Sequence, residues 1–365
     1  MTAGSKLFRQ FSSRDELRRK LMELYYTRRL SQREIARIFG VSQSRISQLF
    51  KEFSLVARNM SDAVSLARSK GKYRTFDPER DAELAVELNA LIHTDFHKER
   101  WRRKIRIRTS TTHLGMIIFL DKIAKSNDLP AVKCEPKFSD KAKRPLRFEK
   151  ASEYEWTIKL VIDESFDEIL EDCDKGGYVE RLSRIRKELL PLYFTRVVEC
   201  DGTIVLTTKR AKITGKIAIY SKDFRHLLSI ERALRKTLRL SAILCGPDKR
   251  DRCTQLFMLL TNRKAMKFLE EMNFLHPEKM CMKELAMKYI NEHAKPEIVE
   301  EINNVSRTIL LLRDITIQLA KERLSLPRGK KVLQSNDLIK LALQRYFKKY
   351  ASKPLPSSFS LFPFL

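Results

Sequence analysis

The chain has 365 residues, too many for one small hydrophobic core, and is expected to divide into two or three domains. Its 73 Lys and Arg against 46 Asp and Glu leave a formal net charge of +27, which costs self-repulsion on folding and points to a polyanionic partner, while 43% hydrophobic residues are enough for a real core. No apolar run approaches membrane-spanning length, no hydrophobic signal segment opens the chain, and none of the six cysteines forms a Cys-x-x-Cys pair; these features exclude a membrane protein and a disulfide or zinc framework, and a soluble cytoplasmic protein with reduced thiols is expected.

The spacing of Leu17, Leu21, Leu24 and Tyr25 predicts a helix over 13–28, with Ser13 as its cap. The next stretch, 30–50, resembles a helix-turn-helix. Ser31 and Glu34 have capping-box spacing, Ala36 is small where two helices must approach, Gly40 can supply a left-handed turn, and Ser42 can cap the following helix. Ile35, Phe39, Val41, Ile46 and Leu49 form one apolar face. The other face of the second helix carries Gln43, Ser44, Arg45, Ser47, Gln48 and Lys51, groups suited to base edges and phosphates in a major groove. Residues 1–60 are therefore read as a DNA-binding domain. A polar, basic linker is expected over 61–79.

From residue 80 to 277 the pattern predicts the order αββαββα, twice. The first unit opens with a helix over 80–95, followed by a strand over 101–109. In that strand Lys104, Arg106 and Arg108 alternate with Ile105 and Ile107, which puts three cations on one face. A helix over 111–126, strands near 131–138 and 155–162, and a helix around 166–173 complete it. After Gly176-Gly177 the second unit repeats the order: helix 179–201, strands 203–209 and 212–220, helix 222–237, strands 241–245 and 254–260, and helix 263–272. Lys212, Thr214 and Lys216 form the polar face of its second strand, opposite Ile213 and Ile217. Residues 278–352 are expected to be helical, with no recognisable motif. The tail 353–365 is expected to be disordered.

Within each unit's first helix lies one of two imperfect copies of a single stretch. These are Leu88-Asn89-Ala90-Leu91-Ile92-His93-Thr94-Asp95-Phe96 and Phe194-Thr195-Arg196-Val197-Val198-Glu199-Cys200-Asp201-Gly202, each with an aspartate one position before its end. With the αββαββα order and the one-unit spacing, residues 80–275 resemble a two-repeat LAGLIDADG homing endonuclease. The resemblance implies an α+β fold in which the two signature helices pack side by side and the two sheets form a DNA-binding saddle. It implies that Asp95 and Asp201 are catalytic and bind Mg2+ near the scissile phosphates. It further implies a monomer acting as a pseudo-dimer on double-stranded DNA. Ala90 and Arg196 stand where the signature has its central glycine, and Phe96 where it ends in one. Arg196 implies a looser helix contact or a shifted register.

The chemistry is coherent on its own terms. Hydrolysis of a phosphodiester needs an activated water and neutralised oxygens, which a hard cation held by carboxylates supplies. Lys104, Arg106, Arg108, Lys212 and Lys216 are placed to follow phosphates. His93 and His97 lack a third ligand for zinc. There is no Walker loop, dinucleotide-binding glycine motif or nucleophile pattern. Two functions compete. One is a site-specific, metal-dependent DNA endonuclease, favoured by the two aspartates. The other is a non-cleaving transcription regulator on the same scaffold, favoured by Phe96 and Arg196.

Overall fold

The computed structural model describes residues 11–28, 30–60, 63–64, 73–101, 104–139, 153–167, 169–170, 182, 185–246 and 253–350. The chain divides into two compact units, Met1–Tyr73 and Arg74–Leu365.

In the first unit, α1 (Arg14–Met22) starts where Ser13 Oγ accepts the Glu16 N–H at 3.1 Å. It ends in a wider π-helical turn, Glu23–Thr27, instead of continuing as α-helix. The wider turn brings both Leu24 and Tyr25 into the core. Helix α2 (Gln32–Phe39) has the full capping box: Ser31 Oγ accepts from Glu34 N–H, and the Glu34 carboxylate accepts from Ser31 N–H. Gly40 then turns the chain at φ 66°, a conformation that strains residues carrying a Cβ. Ser42 caps α3 (Gln43–Glu52). Leu17, Leu21, Ile35, Ile46 and Leu49 are wholly buried where the three helices meet.

The second unit holds the two repeats. Repeat 1 contains α4 (Ala82–Ile92), β1 (His97–Arg100), β2 (Lys104–Thr111), α5 (Leu114–Ser126), β3 (Lys133–Phe138) and β4 (Tyr154–Asp163), ending in a 3-10 turn, Glu164–Phe166. Repeat 2 contains α6 (Leu190–Asp201), β5 (Gly202–Lys209), β6 (Lys212–Ser221), α7 (Phe224–Thr237), β7 (Ile243–Cys245), β8 (Thr254–Leu259) and α8 (Arg263–Glu271). Both sheets are antiparallel. The tandem order expected from the sequence is present, with two differences. The helix expected around 166–173 is a 3-10 turn, Glu164–Phe166, followed by turn residues Asp167, Ile169 and Leu170, with 168 and 171–173 outside the described residues. The helix expected over 179–201 begins at Leu190, after a 3-10 turn, Lys187–Leu189. Strand β1 was not anticipated, because His-Lys-Glu-Arg carries no apolar alternation; it is an edge strand held by its backbone pairing to β2.

Helices α9 (Pro277–Tyr289), α10 (Pro296–Leu324), α11 (Arg328–Lys331) and α12 (Ser335–Tyr350) follow. They are not a free-standing bundle. Leu312, Ile315, Leu319, Leu338, Ala342 and Tyr346 enter the core of repeat 1, and the Trp156 indole N–H donates to Thr316 O at 2.9 Å. A two-residue strand, β9 (Leu333–Gln334), extends the first sheet to the order β1-β2-β4-β3-β9, whereas the second sheet is β5-β6-β8-β7. The tail 353–365 lies outside the described residues. No helix is long and apolar enough to cross a membrane among the described residues.

Candidate active site

Helices α4 and α6 pack against each other. Small Ala90 makes the approach possible: it is wholly buried and belongs, with Val86, to the core of repeat 2. Arg196 does not loosen the contact as its size implied. It is buried in a three-residue ion cluster that crosses the helix pair. Its guanidinium donates to Glu87 at 2.8 Å, to Glu199 at 2.6 Å and to the Asn273 carbonyl at 3.1 Å. Burial opposes the Arg196 charge, and the two carboxylates more than offset this, raising its pKa. Glu199 also accepts N–H groups of Leu275 and His276, so the cluster ties both signature helices to the segment that enters α9. Full burial pushes the Glu199 carboxyl up, against Arg196 and those two donors.

A second polar chain crosses the same boundary. His93 Nδ1 lies 2.9 Å from Tyr193 Oη, which lies 3.0 Å from His226 Nε2. All three side chains are buried. Burial brings His226 down to about 4, against Asp223, so it stays neutral near pH 7. This chain links the end of α4 to α6 and to α7 of repeat 2. His97, by contrast, is exposed on β1, so the two histidines sit in different environments.

The two aspartates meet where Asp201 ends α6 and Asp95 lies in the turn that follows α4. The Asp201 carboxyl is hydrogen-bonded to that of Asp95. Burial, and then the Asp95 charge and hydrogen bond, push Asp201 up to about 8. Around them, Thr94 bonds back to the Ala90 carbonyl at 2.9 Å and also contacts Cys200. Burial raises the Cys200 thiol well above its ordinary value, Thr94 opposes this, and both aspartates add to it. Lys279 of α9 donates to the Gly202 carbonyl at 2.5 Å, beside Asp201. Its pKa is lowered by burial, against Glu278, Cys200 and Glu199. Helix α9 is seated on α5 at Gly115, where a Cβ would stand 2.4 Å from His276 Cε1.

Among the described residues, no group of three or more His, Cys, Asp and Glu is arranged to hold a metal ion. The aspartate pair is a donor set of two carboxylates. That suits a cation such as Mg2+, which keeps several waters and takes its remaining ligands from a phosphate. A divalent cation held by the two carboxyls would relieve the repulsion between them that raises Asp201.

The other expected site residues fall into three groups. On α3, Gln43, Ser44 and Gln48 are exposed and Ser47 is half-buried, but Arg45 is engaged by Glu52 at 2.8 Å and by Gln48 at 3.2 Å. On β2, Arg106 and Arg108 point to the open face of the first sheet, and Glu99 of β1 faces both, at 3.9 and 3.6 Å. Lys104 shares that strand and is half-buried. On β6, Lys212 is exposed and Lys216 half-buried, on the open face of the second sheet. Lys279 was not among the residues singled out from the sequence. A lysine outside both repeats has no local pattern that joins it to Asp201.

Residues 15–52 match the family model described as sigma-70, region 4. No curated protein matches the chain. The structural neighbours of the chain are LAGLIDADG proteins. Full-length DUF199/WhiA from Thermatoga maritima shares 16% identity over 76% of this chain and 88% of its own, with a TM-score of 0.36. The homing endonuclease I-WcaI, bound to its DNA recognition sequence, shares 9% over 59% and 88%, with a TM-score of 0.40. I-DmoI in complex with DNA and Mn shares 14% over 52% and 96%, with a TM-score of 0.34. Scores this low carry no weight on function.

Proposed function

We propose that the chain is a site-specific double-stranded DNA endonuclease that works with a divalent cation, Mg2+ in the simplest case. The observation that carries this reading is the meeting of Asp95 and Asp201. Two equivalent positions, one from each repeat, bring a half-buried carboxyl, Asp201, into hydrogen-bonding contact with an exposed one, Asp95. Such a pair destabilises the fold unless it gains a cation, and a structural role alone would be served better by an amide.

When bound, Mg2+ supplies a water of lowered pKa and positive charge against the phosphate oxygens. Asp95 and Asp201 would hold it there, and its charge would relieve the repulsion that raises Asp201. The Arg196 cluster and the His93–Tyr193–His226 chain fix the two helix ends relative to each other. Lys279 holds the Gly202 carbonyl and so the backbone that carries Asp201. The open sheet faces and α3 supply the cations and hydrogen-bonding groups for duplex DNA. The protein acts as a monomer with an internal pseudo-dimer.

The N-terminal unit supports a second reading, a DNA-binding regulator that does not cut, since its capped helices match a sigma-70 region. One experiment separates the two. Wild type and the Asp95→Asn and Asp201→Asn variants are assayed for Mg2+-dependent cleavage of a duplex library and for binding in Ca2+. The nuclease reading expects wild type to cut, both variants to lose cleavage, and duplex affinity to stay equal or rise. Tight binding by wild type without cleavage in any divalent metal transfers the assignment to the regulator.

A further inference from the structure

The two sheets carry the same kinds of cation but in different electrostatic states. On the open face of the first sheet, Arg106 and Arg108 share Glu99, Lys159 is bonded to Glu135, and Lys137 lies 3.0 Å from Glu155. The strand register explains the pairing: Glu99 stands opposite Arg106, Lys137 opposite Glu155, and Lys159 opposite Arg108 and Lys133. The open face of the second sheet contains no Asp or Glu among the described residues. It carries Thr203, Val205, Thr207 and Lys209 on β5 and Lys212, Thr214 and Lys216 on β6, with Gln255, Phe257 and Leu259 of β8 beyond them. Neither Lys209, Lys212 nor Lys216 has an ion-pair partner among the described residues. Lys216 instead sits 4.9 Å over the Phe257 ring.

The hairpin that carries these lysines is also held rigid from outside the repeat. It turns through Arg210 and Ala211, both at positive φ (50° and 60°), a two-residue turn made without glycine. The segment before α10 clamps it: Ile213 N–H donates to Glu292 O, Asn291 N–H to Ile213 O, and Ala294 N–H to Ala211 O, all at 2.8–2.9 Å. The hairpin backbone therefore needs little ordering when a partner binds.

We infer that the two halves of a bound duplex are held unequally: repeat 2 is the electrostatic anchor, and repeat 1 presents a face on which Arg106, Arg108, Lys137 and Lys159 are already paired internally, leaving Lys133 as its unpaired cation among the described residues. This rests on the DNA reading above and deepens it. Cations without partners release phosphate counterions in full, whereas Arg106 and Arg108 must first give up Glu99. The acids on the first face instead match exposed cytosine amino groups, so repeat 1 contributes discrimination more than affinity.

The test uses the full chain, a bound duplex in Ca2+ and anisotropy over a salt series. Lys212→Ala with Lys216→Ala should flatten the log–log salt slope by roughly 1.8, from about 0.9 per phosphate, and Arg106→Ala with Arg108→Ala by less than half of that. Glu99→Gln with Glu135→Gln should tighten binding several-fold and steepen the slope. Glu300→Gln, on α10 and paired to Arg307, is the control for a general loss of negative charge and should change neither. Thermal melts confirm that each variant is folded. Equal slope losses for the two cation pairs, or a gain for Glu300→Gln as large as for the Glu99 pair, would overturn the asymmetry while leaving DNA binding intact. A wild type whose binding to duplex has no salt dependence would overturn the DNA reading itself.

Discussion

The two repeats deliver equivalent aspartates by different backbone routes. In repeat 2, α6 runs through Asp201 and passes directly into β5 at Gly202. A Cβ at Gly202 would stand 2.7 Å from the Cα and carbonyl oxygen of Val198. In repeat 1, α4 ends at Ile92 and a turn carries Asp95, closed by Phe96 N–H donating to Leu91 O at 3.1 Å. That turn opens the space that the direct junction closes, and Phe96 fills it, 1% exposed in the core of repeat 1. Glycine at the last signature position is thus a demand of the direct helix-to-strand junction, and a turn removes the demand.

The helical layers differ in the same spirit. Helix α5 is buried around nearly its whole circumference from Leu114 to Ala124, because α10 and α12 cover the side turned away from its sheet. Helix α7 keeps Arg232, Arg235 and Lys236 exposed: among the described residues no helix packs over that side of it as α10 and α12 pack over α5. Removing residues 327–365 should therefore strip a layer from repeat 1 alone. We expect that truncation to abolish cooperative unfolding of the second unit and to expose dye-binding apolar surface. A truncated protein that melts like wild type would mean the C-terminal helices are not part of that core. At single-residue scale, Leu338→Ala should cost roughly 2–5 kcal/mol in denaturant unfolding.

The boundary between repeats can be broken next. Arg196→Ala leaves Glu87 and Glu199 buried together without their cation, at a cost of roughly 3–5 kcal/mol. Replacing all three with apolar residues of similar volume should restore most of that loss, and equal instability of the triple variant would count against a charge origin. Substitution at the two signature ends should then act in opposite senses. Phe96→Ala leaves a cavity and costs roughly 3–5 kcal/mol, with little change at Asp201. Gly202→Ala must displace the α6–β5 junction, and its larger effect should be on the affinity for Mg2+ or Mn2+ read by calorimetry.

The tandem order was legible because its strands alternate strictly and its helices do not. The alternation of Ile105 and Ile107 with Lys104, Arg106 and Arg108 is enough to assign the two faces of β2. The capped helices α2 and α3 were equally legible, since Ser31, Glu34, Gly40 and Ser42 act locally. Asp95 and Asp201 could be singled out by their shared position, but not their hydrogen bond, which depends on how two distant helices dock. Arg196 was misjudged because its partner Glu87 lies far away in sequence, on the other signature helix. Glu99 escaped notice with β1, a polar edge strand that carries no periodic signal. Lys279, and the attachment of residues 277–350 to repeat 1, are matters of tertiary packing that apolar spacing alone cannot assign to a neighbour.

The smallest effect comes from acid. The third residue of α7 is His226, whereas the third residue of α5 is Met116, which cannot titrate. His226 is neutral in the fold with its pKa brought to about 4, below the ordinary 6.5. A histidine depressed in this way stabilises fully above its unfolded pKa of about 6.5, and the contribution is lost as pH falls from there toward 4. Facing it are Tyr193, His93 beyond that, and Asp223 at the start of α7. Between about pH 7.5 and about pH 5.5 the loss should be on the order of 1 kcal/mol. His226→Gln keeps a hydrogen-bonding group toward Tyr193 and removes the titration, so its stability should vary less over that range. Amide exchange followed by mass spectrometry localises the effect: the 224–237 peptide should lose protection toward pH 5.5 in wild type, more than 114–126 does, once intrinsic exchange rates are corrected. Parallel loss in both peptides, or an unchanged slope in His226→Gln, would show that the acid sensitivity lies elsewhere in the fold.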